Sequence, residues 1–308
     1  MESDHHHPGT PEFRLESGDR VLVIANPATR QNARRLIKSL TKAAPDGIDL
    51  DIQLTSQPGE ARKIADARLS GAKLLVAIGG DGTVGDCAHA LIDSDIPLAV
   101  IPGGSTNIIA REQGVPLGAR AASRIIFGKN QLRRIDAGMC DDRIFLHMAG
   151  AGFDARFFSL ASPSLKKRLG WFAYLPAAMK AMQHLPSRYS IDVDGEIIDV
   201  NSPLILIANG PSVIHPLLRI HPDIQDNDGY LDVLIITATR PMELARTIGS
   251  LGTMRLARSP FVMHRRARTI QIDSDDAVPV EVDGDVFGET PRTFSILPGA
   301  INIIVPID

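Results

Sequence analysis

From Arg20 to Ile101 the sequence alternates strand-like and helix-like stretches, and this alternation constrains the fold more than any other feature. Val21 to Ala25 is a short apolar run that opens into Asn26-Pro27, and Ala33, Leu36, Ile37 and Leu40 then recur at helical spacing. Ile48, Leu50, Ile52 and Leu54 alternate as a strand does, and Ala61, Ile64, Ala65 and Leu69 return to the helical period. Leu74 to Ile78 is a second buried-strand run; a helix through Val84, Cys87, Ala88 and Leu91 and a strand from Leu98 to Ile101 follow. Strands alternating with helices of this length predict βαβ units and a mostly parallel sheet.

After about Asp136 the character changes. Short strand candidates separated by turn signals take over: Arg143 to His147, Tyr189 to Val193, Glu196 to Val200, Leu204 to Ala208, Tyr230 to Thr237, Thr269 to Ile272, Val278 to Val282 and Ile301 to Val305. That spacing predicts an antiparallel sheet or sandwich, interrupted by helical stretches over about 164–184 and 241–258. The expected organisation is a tag-like or disordered tail over 1–18, then an α/β nucleotide-binding domain over 19–137. A β-rich domain follows over 138–296, and the last strand (about 297–308) returns to the first domain.

The bulk numbers exclude several functions. Lys plus Arg total 33 against 36 Asp plus Glu, a formal charge of −3, which argues against nucleic acid as a main partner. The longest apolar runs, such as Leu204 to Ala208, fall far short of the roughly 20 residues of a membrane-spanning helix, so membrane contact is expected to be peripheral. Cys87 and Cys140 are the only cysteines, which predicts no disulfide framework and a cytoplasmic location. Met1 to Arg14 carries three adjacent histidines and no apolar stretch, as a tag remnant or loose tail would.

Three loops carry the chemistry. Gly79-Gly80-Asp81-Gly82-Thr83 lies between a strand run and a helix, where glycines let backbone amides approach an anion and the helix start adds a favourable dipole. It has neither the Walker ending nor the G-x-G-x-x-G spacing. Pro102-Gly103-Gly104-Ser105-Thr106-Asn107 follows the next strand, and Asn26-Pro27-Ala28-Thr29-Arg30 follows the first. In a parallel sheet such loops line one edge, where ligands bind.

These loops together resemble the diacylglycerol kinase catalytic family, which includes bacterial diacylglycerol- and sphingosine-type lipid kinases. The likeness extends over Gly152-Phe153-Asp154, the basic-aromatic stretch Leu165 to Leu175, Asn209-Gly210, Asp228-Gly229-Tyr230-Leu231-Asp232 and Val282-Asp283-Gly284-Asp285, covering about 21–306. The resemblance implies an ATP- and Mg²⁺-dependent kinase that phosphorylates a lipid hydroxyl. Gly80, Asp81, Gly82, Thr83, Val84, Gly85 and Asp86 would wrap the ATP phosphates, with Gly79 leading in and Asp81 placed to organise magnesium. Asn26, Thr29, Arg30, Thr55, Gly104, Ser105 and Asn107 complete the implied nucleotide site. A further Mg²⁺ would sit on the side chain of Asp228 and the carbonyls of Gln225 and Tyr230, hard oxygen donors that suit it. The implied general base is Asp285, at the family's glutamate position, with Asp283 sharing the role.

A competing Asp-Gly-acid copy at Asp194-Gly195-Glu196 joins two alternating runs and is expected to be a structural hairpin turn. The chain departs from the family at Ala28-Thr29-Arg30, at Asp86 (usually glutamate) and at Ile108-Ile109, where many members have Asp-Phe. Lys166, Lys167 and Arg168 beside Trp171, Phe172 and Tyr174 suit either an anionic membrane surface or a solvated helix start whose aromatics are core. The expected partner is a lipid substrate at a membrane surface, with a homodimer left open. Diacylglycerol, ceramide and sphingoid bases all remain acceptors, and NAD kinase and a catalytically weak nucleotide-binding regulator remain alternatives.

Overall fold

A computed structural model of the chain describes residues 12–29, 31–152, 186–213, 215–221, 223–252, 256 and 259–307. It divides into two compact units, Met1–Ile135 with Gly299–Asp308, and Asp136–Pro298.

The first unit is an α/β layer. Strands β1 (Arg20–Ala25), β2 (Asp49–Leu54), β3 (Leu74–Gly79) and β4 (Leu98–Pro102) pair in parallel in the order β2-β1-β3-β4. β3 and β4 are buried along their whole length, as expected of parallel strands covered on both faces. Helices α1 (Ala33–Ala43), α2 (Glu60–Arg68), α3 (Asp81–His89), α4 (Ile108–Glu112) and α5 (Ala119–Phe127) supply the connections. In α1, Ala33, Leu36 and Leu40 turn one stripe inward, and Asn32 caps the start by accepting the Arg34 N–H. Residues 12–18, assigned to a tail from the sequence, carry backbone hydrogen bonds: Phe13 N–H donates to Asn130 Oδ1 at 3.0 Å and Gly18 N–H to the Gly47 carbonyl at 2.8 Å.

The second unit is a β-sandwich. One sheet runs β14 (Val262–Ala267), β13 (Leu231–Ile236), β10 (Leu204–Ala208), β7 (Met148–Ala151), β16 (Pro279–Val282), β17 (Asp285–Glu289), every pairing antiparallel. Facing it, β8 (Ser187–Val193) pairs with β9 (Glu196–Ser202) and β15 (Thr269–Ser274), and β15 with the first half of β18 (Arg292–Val305). The faces meet in one core holding Ile205, Ile207, Val233, Ile235 and Val280 from one sheet and Tyr189, Ile191, Ile270, Ile272 and Phe294 from the other. β13 is buried throughout because its other face, through Leu234 and Ile236, packs into a second cluster with Leu204, Ile220, Ile224 and Leu256.

Two strands cross the unit boundary in sequence. β5 (Gln131–Cys140) leads out of the first unit and pairs with β6 (Arg143–Phe145); β18 returns and pairs in parallel with β4 at Ile303↔Leu98. The remaining short strands, β11 (Ser212–Val213) and β12 (His215–Arg219), form a hairpin, and α6 (Pro241–Gly252) follows β13.

Candidate active site

The parallel order brings the carboxyl ends of β1, β2, β3 and β4 to one edge of the first unit. Register places Ala25 beside Leu54 and Ile78, and Gly79 beside Pro102. The loops that follow are stitched across this edge: Asn26 N–H donates to the Ile78 carbonyl (3.0 Å), Thr55 N–H to Ala25 (3.0 Å) and Gly103 N–H to Gly79 (2.7 Å). Asn26 Oδ1 accepts the Ala28 N–H at 2.9 Å, and the Thr29 hydroxyl donates to the Gln31 carbonyl.

The two glycine loops touch. A Cβ on Gly104 would lie 2.6 Å from Gly80 Cα, so the approach requires glycine there, and one on Gly80 would lie a tight 3.2 Å from Gly104 Cα. Buried Asn107, in the left-handed region, holds the second loop in place: its Oδ1 accepts the Gly104 N–H at 2.8 Å and its Nδ2 donates to the Gly104 carbonyl at 3.0 Å. The amide of Asn107 is thus spent on the loop itself. Gly80 caps α3, and no atom lies within 4 Å of a Cβ built on Gly82 or Gly85, which leaves the start of α3 open. Helix geometry directs the first-turn N–H groups outward there, into the space where an anion would bind. Asp81 occupies that turn, and its Oδ1 accepts the Ile109 N–H at 3.2 Å. Thr55 and Thr83 are buried, Ser105 is exposed, and Val84 and Asp86 lie on α3.

In the second unit the remaining motifs converge on one hydrogen-bond network. Asp283-Gly284 forms the β16–β17 turn, both residues at positive φ (49° and 89°), which suits Asp-Gly. The Asp283 carboxylate accepts the N–H groups of Leu146, His147 and Met148 at 2.9, 3.0 and 3.0 Å. Burial pushes its carboxyl above the usual range, while the charge of His147 and these three donors pull it back. Asn209 and Gly210 donate their N–H groups to the His147 carbonyl, and Asn209 Nδ2 donates to the carbonyls of Leu146 (2.9 Å) and Asp136 (3.1 Å). Asp136 in turn accepts the Gly229 N–H at 2.7 Å. Asp283 therefore acts as a scaffold that fixes the 146–148 segment. Asp285 is different: it is exposed on β17 and pairs with Arg143 at 2.6 Å. Asp194-Gly195 makes an equivalent turn between β8 and β9, with the Asp194 carboxylate on the N–H groups of Arg268 and Thr269.

At Asp228, Oδ1 accepts the Tyr230 N–H at 3.1 Å, and Oδ2 lies 2.5 Å from Arg266 Nη2. Burial, with Asp232 and Asp136 nearby, raises the Asp228 carboxyl, and Arg266 opposes this. Magnesium demands oxygen ligands at about 2.0–2.1 Å in near-octahedral order. Arg266 already holds Asp228 Oδ2, so an ion binding that oxygen would have to displace the guanidinium. Among the described residues no group of three or more His, Cys, Asp or Glu side chains is arranged to hold a metal ion.

Comparison with known proteins agrees with this layout. Residues 20–140 match the family described as "Diacylglycerol kinase catalytic domain" and residues 147–305 the "YegS C-terminal NAD kinase beta sandwich-like domain". A "Probable lipid kinase YegS-like" from Pseudomonas fluorescens is 33% identical over 296 residues, covering 94% of this chain and 95% of its relative. The chain belongs to the YegS-like lipid kinases of the diacylglycerol kinase family. A "Diacylglycerol kinase" from Bacillus subtilis is 28% identical over 93% of this chain and 96% of its own length. A solved diacylglycerol kinase from Bacillus anthracis shares the fold, with a TM-score of 0.71 and 21% identity over 95% of this chain and 98% of that one. Membership of this kinase family makes the chain an enzyme and implies ATP as its phosphoryl donor. Among the described residues no helix is long and apolar enough to cross a membrane.

The first unit thus brings together Asn26, Thr29, Thr55, Gly79 to Asp86, Gly104, Ser105 and Asn107. The second unit holds Asp285 and Asp283, and Asp283 is linked through Asn209 and Asp136 to the loop of Gln225, Asp228 and Tyr230. Arg30, the Phe153-Asp154 pair and the basic and aromatic residues 166–168, 171, 172 and 174 lie outside the described residues. Two residues of the second unit escaped the sequence reading. Asp136 is a buried carboxylate within the apolar second half of β5, and that incongruity was its only signal. Arg266 became significant only through strand register.

Proposed function

We propose that this kinase transfers the γ-phosphoryl group of ATP to the hydroxyl of a lipid such as diacylglycerol. The close approach of Gly80 to Gly104 carries the reading, because it makes a backbone-lined anion cradle beside the open start of α3. Asp81 is the carboxylate placed to meet a magnesium ion arriving with the ATP phosphates. Such an ion would neutralise charge on the β- and γ-oxygens as the bond to the leaving phosphate breaks. The lipid hydroxyl oxygen attacks the γ-phosphorus, the bond to the β-phosphate oxygen breaks, ADP leaves, and the hydroxyl proton passes to a carboxylate. Asp285 is our candidate for that base, since it stands at the family's glutamate position and its side chain is exposed. The acceptor is met at a membrane surface by peripheral contact.

Incubation with labelled ATP, Mg²⁺ and mixed micelles of diacylglycerol, ceramide or sphingoid base tests the proposal, with NAD as a soluble control acceptor. Labelled phosphatidate that disappears with Asp81→Asn is the expected result. Labelling of NAD without any lipid product would overturn the reading.

A further inference from the structure

We propose that Arg266 is the resident cation of the Asp228 loop, standing where a divalent ion would otherwise be required. Three carboxylates gather there: Asp228 before β13, Asp232 within it, and Asp136, which holds the loop through the Gly229 N–H. Asp136 and Asp232 are each 2% exposed, and Asp232 Oδ2 has no hydrogen-bond partner among the described residues. Buried like charges of this kind need a positive charge close by.

The neighbouring strand supplies it. Asp232 and Arg266 are direct cross-strand partners on β13 and β14. This register brings Arg266 Nε to 3.9 Å from Asp232 Oδ1 and its Nη2 to 2.5 Å from Asp228 Oδ2. The guanidinium is also fixed in orientation. It lies 4.6 Å from the Tyr230 ring centroid, and the Arg268 guanidinium lies 5.1 Å from the same centroid. His264 Nε2 lies on the same oxygen, 2.6 Å from Asp232 Oδ1. A planar fork anchored by two carboxylates and a ring is a built-in contact, and a lysine could not reproduce it. A dication at coordinating distance from Asp228 Oδ2 would face that fork directly, so metal and guanidinium compete for one place.

The test needs neither ATP nor lipid, so it stands or falls apart from the phosphoryl-transfer reading. Melting temperature is measured in EDTA and in millimolar MgCl₂ for the unmodified chain, Arg266→Gln, Arg266→Lys and Asp228→Asn. The unmodified chain is expected to melt equally in both buffers. Arg266→Gln should melt lower in EDTA and recover by about 2–4 °C or more in MgCl₂, as an ion filling the emptied place would make it. Arg266→Lys keeps the charge without the fork, and should fold with a smaller recovery if Arg266→Gln does not fold at all. A Mg²⁺-dependent rise in the unmodified chain that Asp228→Asn abolishes would overturn the proposal. So would an Arg266 variant that folds and gains no response to Mg²⁺.

Discussion

Asp81 and Asp283 are both acids in glycine turns, yet their surroundings give them opposite expected phenotypes. Asp81→Asn retains the Oδ1 that accepts the Ile109 N–H, so the melting temperature should hold. Turnover should fall roughly 10²–10³-fold through loss of charge at the phosphates, and a normal turnover at normal stability would remove Asp81 from the mechanism. Asp283→Ala instead strands the N–H groups of Leu146, His147 and Met148. Urea denaturation should show a loss of about 3 kcal/mol or more, since each buried unsatisfied donor costs roughly 1–3 kcal/mol. Asp285→Asn should leave stability nearly unchanged, because its exposed pair with Arg143 is worth little. It should depress turnover by roughly 10²–10⁴-fold if Asp285 takes the hydroxyl proton. Glu196→Gln, on the companion hairpin, should be silent in the same assay. The sequence marked Asp283 and Asp285 as one motif, and nothing in it could divide them: Asp283 sits in the turn itself and Asp285 opens the strand after it, and the N–H groups that claim Asp283 come from more than a hundred residues away.

At the scale of the element, the sequence reading succeeded where apolar residues ran unbroken or alternated, and failed where a strand carried charge or lacked bulk. β3 and β4, covered on both faces, appear as unbroken apolar runs, and the strand–glycine–helix order around Asp81 was legible directly. β14, by contrast, reads Val-Met-His-Arg-Arg-Ala; it is an edge strand whose basic side chains belong to the Asp228 cluster, so its pattern is not that of a core strand. β7, Met-Ala-Gly-Ala, lacks bulk at its centre because the neighbouring strand lies close: a Cβ on Gly150 would lie 2.7 Å from the Ile205 carbonyl oxygen. The contact between the two glycine loops was likewise beyond sequence reading, since only the β3–β4 register brings Gly80 to Gly104. It predicts a contrast between alanine variants. Gly104→Ala must force the loops apart and should raise the KM for ATP about tenfold or more, with some loss of stability. Gly82→Ala meets open space in the protein alone and adds a better helix former to α3. Its melting temperature should be equal or higher, while its KM for ATP rises if phosphate lies over that face. Equal KM values for both variants and the unmodified enzyme would place the nucleotide elsewhere.

For the whole molecule, the decisive fact is that the α/β unit is discontinuous in sequence. β18 enters it only after the sandwich is complete, pairing with β4 at Ile303↔Leu98. Ile301, Ile303, Ile304 and Val305 from this segment are all buried. Burying such a side chain is worth about 1.5–3 kcal/mol, so the four together approach the 5–15 kcal/mol that typically holds a domain folded. Residues 12–135 alone should therefore fail to fold, despite containing every loop of the proposed nucleotide site. The missing strand can be returned without the sandwich. A Cβ on Gly299 would lie 3.5 Å from Arg134 Nε, so the ends at Ile135 and Gly299 are close enough for a short Gly/Ser linker. A fusion of 12–135 through that linker to 299–307 should melt cooperatively and gain stability when ATP and Mg²⁺ are added, while the unfused fragment shows neither behaviour. Circular dichroism melts of the two proteins, with and without nucleotide, decide the matter. If 12–135 melts as sharply and as high as the fusion, the last strand is dispensable, and the α/β unit draws its stability from β1 to β4 and their helices alone.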